Sequence, residues 1–235
     1  MPVAHIVYAH PEPRSFVATM RDRVCDSLAA QGWEVTLSDL HASGFDPVVS
    51  AGDFPARQDP DYLNYALEQR HAVAADRLAA DIRREVAAVQ RADLLVLVFP
   101  IFWFSVPALL KGWIDRVFLS GVFYGGKRIY AKGGMAGKRT LVVASLGGRE
   151  HMFGPDALHG ELTDMLRPLL QGTLGYCGFE VLRPFFAYHV PYLDSAARGA
   201  LLDRLGIELA ELENRPALPM PDLSRYDEIF RPLDN

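Results

Sequence analysis

Residues 91–118 read RADLLVLVFPIFWFSVPALLKGWIDRVF. Within them residues 94–99 (LLVLVF) are apolar at every position. So short a run without a polar face suits a strand covered on both sides, as in the middle of a parallel sheet. Pro107 then fits the first turn of a helix running to Phe118, with Leu110, Trp113, Ile114 and Val117 as its buried stripe. Between strand and helix stands PIFWFSVP, four large apolar side chains where a polar loop is the norm.

The same alternation extends outward in both directions. Residues 3–9 (VAHIVYA) form a β-branched and aromatic run ended by the breaker segment HPEPRSF. Ser15 can cap the helix that follows, in which Phe16, Met20, Val24 and Leu28 recur every fourth residue until Gly32 stops it. Residues 33–37 (WEVTL) read as a second strand. The polar stretch 39–65, punctuated by Pro47, Pro55 and Pro60, is expected to wrap the surface. A helix over 69–91 carries Leu78, Ile82, Val86 and Val89 at helical spacing. Residues 140–144 (TLVVA) are a fourth strand leading into SLGGREHMF, and a helix over 162–176 is expected to bend at Pro168. A fifth strand at 179–182 and a last helix at 195–212 complete the pattern. Five strands alternating with helices predict one doubly wound α/β domain over 1–212, with a parallel sheet in the order 2-1-3-4-5. Residues 213–235, with Pro216, Pro219, Pro221 and Pro232, read as an extended tail.

Composition excludes several classes. The 235 residues are 50% hydrophobic and 11% aromatic, which excludes wholesale disorder. A net charge of -5, from 24 Lys+Arg against 29 Asp+Glu, argues against nucleic acid or an anionic membrane surface as the main partner. Cys25 and Cys177 form neither a CxxC pair nor a disulfide framework. No apolar run approaches the ~18 residues of a membrane span. The N-terminus lacks a basic region and cleavage site, so a cytoplasmic setting is expected.

Ligands of such sheets bind beyond the carboxyl ends of the strands where strand order reverses, here between the first and third strands. The loops at that edge are 10–16, 100–105 and 145–153, the most unusual text in the chain. In the first, Ser15 and the following amides can face a phosphate at a helix N-terminus, with Arg14 as counter-charge; a plain capped junction is the alternative. In the second, Ile101, Phe102, Trp103 and Phe104 suit a flat aromatic ligand; core packing or a subunit contact is the alternative. In the third, Gly147 and Gly148 permit close backbone approach, though a simple turn would also use them. GxGxxG, the P-loop pattern, HExxH and GxSxG are all absent, and the seven histidines have no metal-ligand spacing, so no metal site is expected. His10 and His159 fall near the rim; by position in the chain alone, each reads as a hydrogen-bonded structural histidine rather than a catalyst.

These segments, together with GWEVTLSDL, GFDPVVS, ALHGEL and YCGFEVL, resemble the NAD(P)H:quinone oxidoreductases, the flavodoxin-like DT-diaphorases. Bacterial modulator-of-drug-activity proteins and potassium-efflux ancillary reductases are similar as well. The match runs over about residues 3–210, and FPxxWFxxPAxLKGWxDRVF is its most specific element. The resemblance implies a tightly held flavin, FAD with FMN as the alternative. It also implies ping-pong two-electron transfer from NAD(P)H to a quinone or another flat acceptor. By the same resemblance His10, Ser15, Phe16 and Val17 meet the flavin's phosphate and ribityl region, and Arg198 lies near the adenine half. Pro100, Ile101, Phe102, Trp103 and Phe104 line the ring, while Ser145, Leu146, Gly147 and Gly148 close its other side. Asn64 matches a position that reaches the flavin from the partner subunit of a homodimer, with the site at the interface. The aromatics around Trp113 and Phe123 are expected to lie exposed and support that dimer.

Departures from the family pattern sharpen the reading. His159 matches the active-site histidine, but the tyrosine that shares its proton is Phe153 here. Tyr124 matches one pocket-lining tyrosine, whereas its usual companion is Gly126. Phe102 replaces a glutamine and Val17 an asparagine, each removing a polar contact to the flavin. A second functional class, a regulatory flavoprotein subunit of a potassium-efflux antiporter, is favoured by Phe153 and opposed by the full 39–91 segment.

Overall fold

The structure, a computed structural model, describes residues 1–233. Strand β1 (Val3–Tyr8) leads to helix α1 (Phe16–Ala30) and strand β2 (Glu34–Asp39). Helices α2 (Tyr65–Ala74) and α3 (Ala80–Arg91) precede strand β3 (Leu94–Pro100), and helix α4 (Ala108–Val117) precedes strand β4 (Arg139–Ser145). Two short helical turns, α5 (Leu162–Met165) and α6 (Arg167–Leu169), lead to strands β5 (Glu180–Val181) and β6 (Phe185–Ala187), and helix α7 (Ser195–Ala210) follows. The sheet is parallel in the order β2-β1-β3-β4-β5, with β6 also pairing β4, as the alternation of sequence elements predicts.

The central strand explains the layering. All seven residues of β3 are buried. Leu95, Leu97 and Phe99 face one core with α3 and α4, and Leu94, Val96 and Val98 face the other with α1 and α7. Side chains of this size each contribute about 1.5–3 kcal/mol when fully buried. Helix α1 starts where the Oγ of Ser15 accepts from the Ala18 N–H at 3.1 Å. It stops where Gly32 turns left-handed (φ 85°) and the Trp33 N–H returns to the Leu28 carbonyl.

Several expectations are corrected. The single helix over 69–91 is two helices, broken at residues 75–79. Asp76 goes left-handed there, Leu78 turns into the core, and the Arg83 guanidinium caps the Asp76 and Leu78 carbonyls. The bent helix over 162–176 is three pieces, because Pro168 has no N–H to continue the ladder; residues Leu170–Gly175 then widen into a π-helix. The fifth strand is interrupted at Pro184 and resumes as β6. The tail pairs beside it, the Leu218 N–H reaching the Val181 carbonyl and the Arg183 N–H the Pro216 carbonyl.

Segment 39–65 does more than wrap the surface. Phe45, Asp53 and Phe54 are buried, and Arg116 of α4 holds the segment through Asp53 (2.8 Å) and the Asp46 carbonyl (2.8 Å) while also pairing with Asp81 of α3 (2.8 Å). Pro47 lies so close to α4 that a Cβ on Gly112 would fall 2.1 Å from its carbonyl oxygen. Trp113 is completely buried, as its place in the α4 stripe predicts, and Phe123 is buried too, so neither supports a dimer surface as the resemblance led one to expect. The Trp113 indole N–H donates to Glu85 (3.0 Å), which also accepts from the Ser38 hydroxyl (2.7 Å). Ser38 and Thr36 in turn hold the His5 ring. Among the described residues no helix is long and apolar enough to cross a membrane.

Candidate active site

The three loops expected at the carboxyl edge do converge there. Ile101 and Ser145 tie the β3 and β4 ends together, the Ile101 N–H donating to the Ser145 carbonyl at 2.7 Å. Phe102 and Ser105 exchange two backbone hydrogen bonds of 3.0 Å, so Trp103 and Phe104 occupy the middle of a two-residue turn. Both are left-handed, with φ of 52° and 55°. Such a turn ordinarily selects Asn-Gly, and bulky residues there are strained. Trp103 is nonetheless 95% exposed, so the strain is not repaid by packing within the chain.

Behind the turn an aromatic row forms. Phe104 stands 5.4 Å from the His159 ring, His159 is 5.2 Å from Phe153, and Phe153 is 5.6 Å from Tyr188. The His159 loop is closed by its own N–H to the Met152 carbonyl and by Gly154 to Gly160. Phe153 packs onto the glycine pair so closely that a Cβ on Gly148 would lie 2.8 Å from its ring. Burial, reinforced by Glu150 and Glu161, pushes the Tyr188 hydroxyl above its ordinary pKa.

Ser15 opens α1 beneath this rim, within 3.4 Å of the buried Tyr8 hydroxyl. The amides of Phe16 and Val17, in the first turn, have no intrahelical partner and form an anion-ready helix start. The Val17 side chain points into the core with Met20 and Val24, so only its amide is available to a ligand. Leu146 is similar, its side chain belonging to the core. His10 accepts the Glu12 N–H on Nδ1, and burial lowers its pKa. Arg14 is turned to Glu12 on the surface. Arg198, in the first turn of α7, donates to the Val190 carbonyl at 3.2 Å, while its buried Nε has no partner among the described residues.

Two expected residues stand apart. The α4 crossover carries the chain back toward the amino end of the sheet, and Tyr124 lies on that return. It packs 5.6 Å from Tyr176 and lines a separate cavity of about 570 Å³ with Tyr65 and Phe118. Asn64 caps α2 through the Leu67 N–H. Neither meets the Trp103 turn within one chain. Conversely, the sequence reading missed Tyr188 and His189, which follow β6 directly. A left-handed histidine leaves no periodic signal in the sequence.

The geometry at the rim has a common theme, unbonded main-chain donors. Among the described residues the amides of Trp103, Phe104, Gly147, Gly148 and Arg149 donate to no protein group. Together with the helix start at Phe16 they form a donor-rich edge beside exposed aromatic faces, the donor set that a flat ring with polar edges and an attached phosphate requires.

Comparison with known proteins agrees with this geometry. A family model described as flavodoxin-like fold matches residues 4–206. NAD(P)H dehydrogenase (quinone) 1 of Cavia porcellus is 39% identical over 97% of this chain and 83% of its own length. Ribosyldihydronicotinamide dehydrogenase (quinone) of Pongo abelii is 41% identical over 78% of this chain and 80% of its own. A crystal structure from Klebsiella pneumoniae, named as a quinone reductase, superposes with a TM-score of 0.92 at 31% identity, covering 96% of this chain and 91% of that one. By sheet order, rim and relatives alike, the chain belongs to the flavodoxin-like family of NAD(P)H:quinone oxidoreductases.

Proposed function

We propose that the protein is a flavin-dependent NAD(P)H:quinone oxidoreductase that works by two separate two-electron steps. The observation that carries this reading is the row of free amides at Trp103, Phe104, Gly147, Gly148 and Arg149 beside a strained, exposed aromatic turn. When bound, the flavin supplies the hydride relay between NAD(P)H and a quinone or similar flat acceptor.

The chain's own residues do the rest. The helix start after Ser15, with His10 beside it, holds the phosphate. Trp103 and Phe104 would hold the ring, and the free glycine amides would bond its polar edge and stabilise negative charge there. Phe153 has no proton to give, so an N–H of His159, which packs beside Phe104, or else solvent would supply one to the acceptor oxygen. Arg198, in the first turn of α7, would lie near the adenine half of FAD; FMN, which two solved structures of the same fold carry, is the alternative. The separation of Tyr124 and Asn64 from the rim supports a homodimer in which each chain completes its partner's acceptor slot. Covering Trp103, Phe102 and Leu158, all exposed in one chain, supports it too.

The test is direct. Purified protein should carry a yellow chromophore that chromatography identifies as FAD, and anaerobic NADPH should bleach it one-to-one. A colourless protein that takes up neither FAD nor FMN overturns the reading. For the proton, His159→Gln should slow quinone reduction more than flavin reduction; equal, wild-type rates in both would remove His159 from that role.

A further inference from the structure

We infer that His189 is a positioning residue that aims the glycine amides at the flavin edge, an inference resting on the flavin reading above. Three consecutive carbonyls of the loop after β4 are taken up by one short segment. The Leu146 carbonyl accepts from the Val190 N–H (3.1 Å), and the Gly148 carbonyl from the His189 N–H (2.8 Å). The Gly147 carbonyl meets Nδ1 of the His189 ring at 3.1 Å. A peptide unit is planar and trans, so its N–H points opposite to its C=O. Fixing the carbonyls of 146, 147 and 148 on the 189–190 side therefore turns the N–H groups of Gly147, Gly148 and Arg149 to the other side. These are the loop amides that bond no protein group.

His189 can make two of these three bonds only because it is left-handed, with φ 59°. That conformation brings its own N–H and its ring nitrogen onto the same loop. It is uncommon for a residue other than Gly, though His adopts it more readily than most, and the surroundings hold it here. Pro191 follows within the 3-10 turn Val190–Tyr192, the Tyr192 ring lies 4.8 Å from the imidazole, and Arg198 bonds the Val190 carbonyl. Bonding to Gly147 requires a hydrogen on Nδ1; the residue itself lines a cavity of about 500 Å³ with Arg149, His151 and Arg204. The glycine pair itself has no side chain with which to hold a conformation, and Phe153 restrains it from one face only. The Nδ1 bond ties the pair to the 189–190 segment as well.

The experiment uses apoprotein titrated with FAD and, separately, FMN, followed by the midpoint potential of the reloaded protein. His189→Gly keeps the left-handed backbone and its N–H but loses the Nδ1 bond. It should weaken flavin binding by about tenfold, the worth of one hydrogen bond. It should also make the potential more negative, because misaimed amides stabilise the reduced ring less. His189→Asn, whose amide nitrogen sits at the same reach and which tolerates left-handed backbone, should return both quantities close to wild type. If the glycine variant does not fold, His189→Asp compared with His189→Asn carries the test, since the two share shape and backbone tolerance and only Asn can donate. A purely structural role would lower the melting temperature of the apoprotein and leave flavin affinity and potential alone; that result overturns the inference. Wild-type apoprotein that binds neither flavin overturns the function from which it starts, a distinct outcome.

Discussion

Replacing Trp103 by glycine should make the empty protein more stable and the loaded one weaker. Trp103 is 95% exposed, so its removal forfeits almost no burial. Its φ of 52° carries a penalty of about 1–2 kcal/mol for a side chain in the left-handed region, which glycine escapes. Against this stands about 0.5–1 kcal/mol for the greater freedom glycine has in the unfolded chain. The balance is a gain of up to about 1.5 kcal/mol, or up to about 6 °C in melting temperature for a domain of this size. Flavin binding should move the other way. Loss of one aromatic face contributes about 0.5–1.5 kcal/mol beyond area, so affinity should fall by more than about tenfold once buried area is included. Thermal scans of apoprotein and fluorescence titration with FAD measure the two separately. A melting temperature that falls would show that the turn is not strained for Trp, and an unchanged affinity would show that the indole does not touch the ligand. Either result refutes the reasoning that strain is held here for binding.

Other consequences can be checked alongside. Arg116→Met strands the buried Asp53 carboxylate and should cost about 3–5 kcal/mol in urea denaturation, whereas Lys111→Met, on the exposed face of the same helix, should cost under about 1 kcal/mol. Burial lowers the His5 pKa to about 4 from its ordinary 6.5, despite the opposing pull of Glu85. The unfolded chain therefore takes up this proton first, and stability should fall by about 3 kcal/mol as pH drops from 6.5 to about 4. His5→Asn should flatten that part of the curve, and an identical slope would mean His5 is not the group responsible. Gly148→Ala, which drives a methyl onto Phe153, should lower flavin affinity. Phe153→Leu in the same chain should restore part of it, and strictly additive effects would deny the contact.

Much of the scaffold is legible in the chain because it rests on periodicity. A run such as residues 94–99, apolar throughout, has few places to go other than a covered parallel strand, and the breaks at HPEPRSF and Gly32 bound α1 to within a residue. Periodicity fails where a polar side chain is buried for a partner far along the chain. Glu85 lies on the buried face of α3 because Ser38 and Trp113 meet it there, and Asp53 is buried because Arg116 reaches it. Neither pairing can be read from local spacing. The same limit explains Phe123, whose aromatic character alone suggested a surface role while tertiary packing enclosed it; Trp113 is buried as its helical spacing predicts. At the rim, residue types were legible and backbone state was not. Trp103-Phe104 in a turn built for Asn-Gly contradicts local propensity, and local sequence rules fail most often where a site has other demands. His189 went unnoticed for the same reason.

The press of Pro47 against Gly112 links two places that are distant in the chain. As long as the loop lies across α4, position 112 admits no methyl group, and Arg116 one turn further along has an acid to answer. A relative that had shed this excursion would be released from both demands at once. Across the lineage the excursion, the bare helix position and the guanidinium should therefore be gained or lost as a set, and a chimaera that grafts the loop onto a helix with alanine at 112 should fail to seat it.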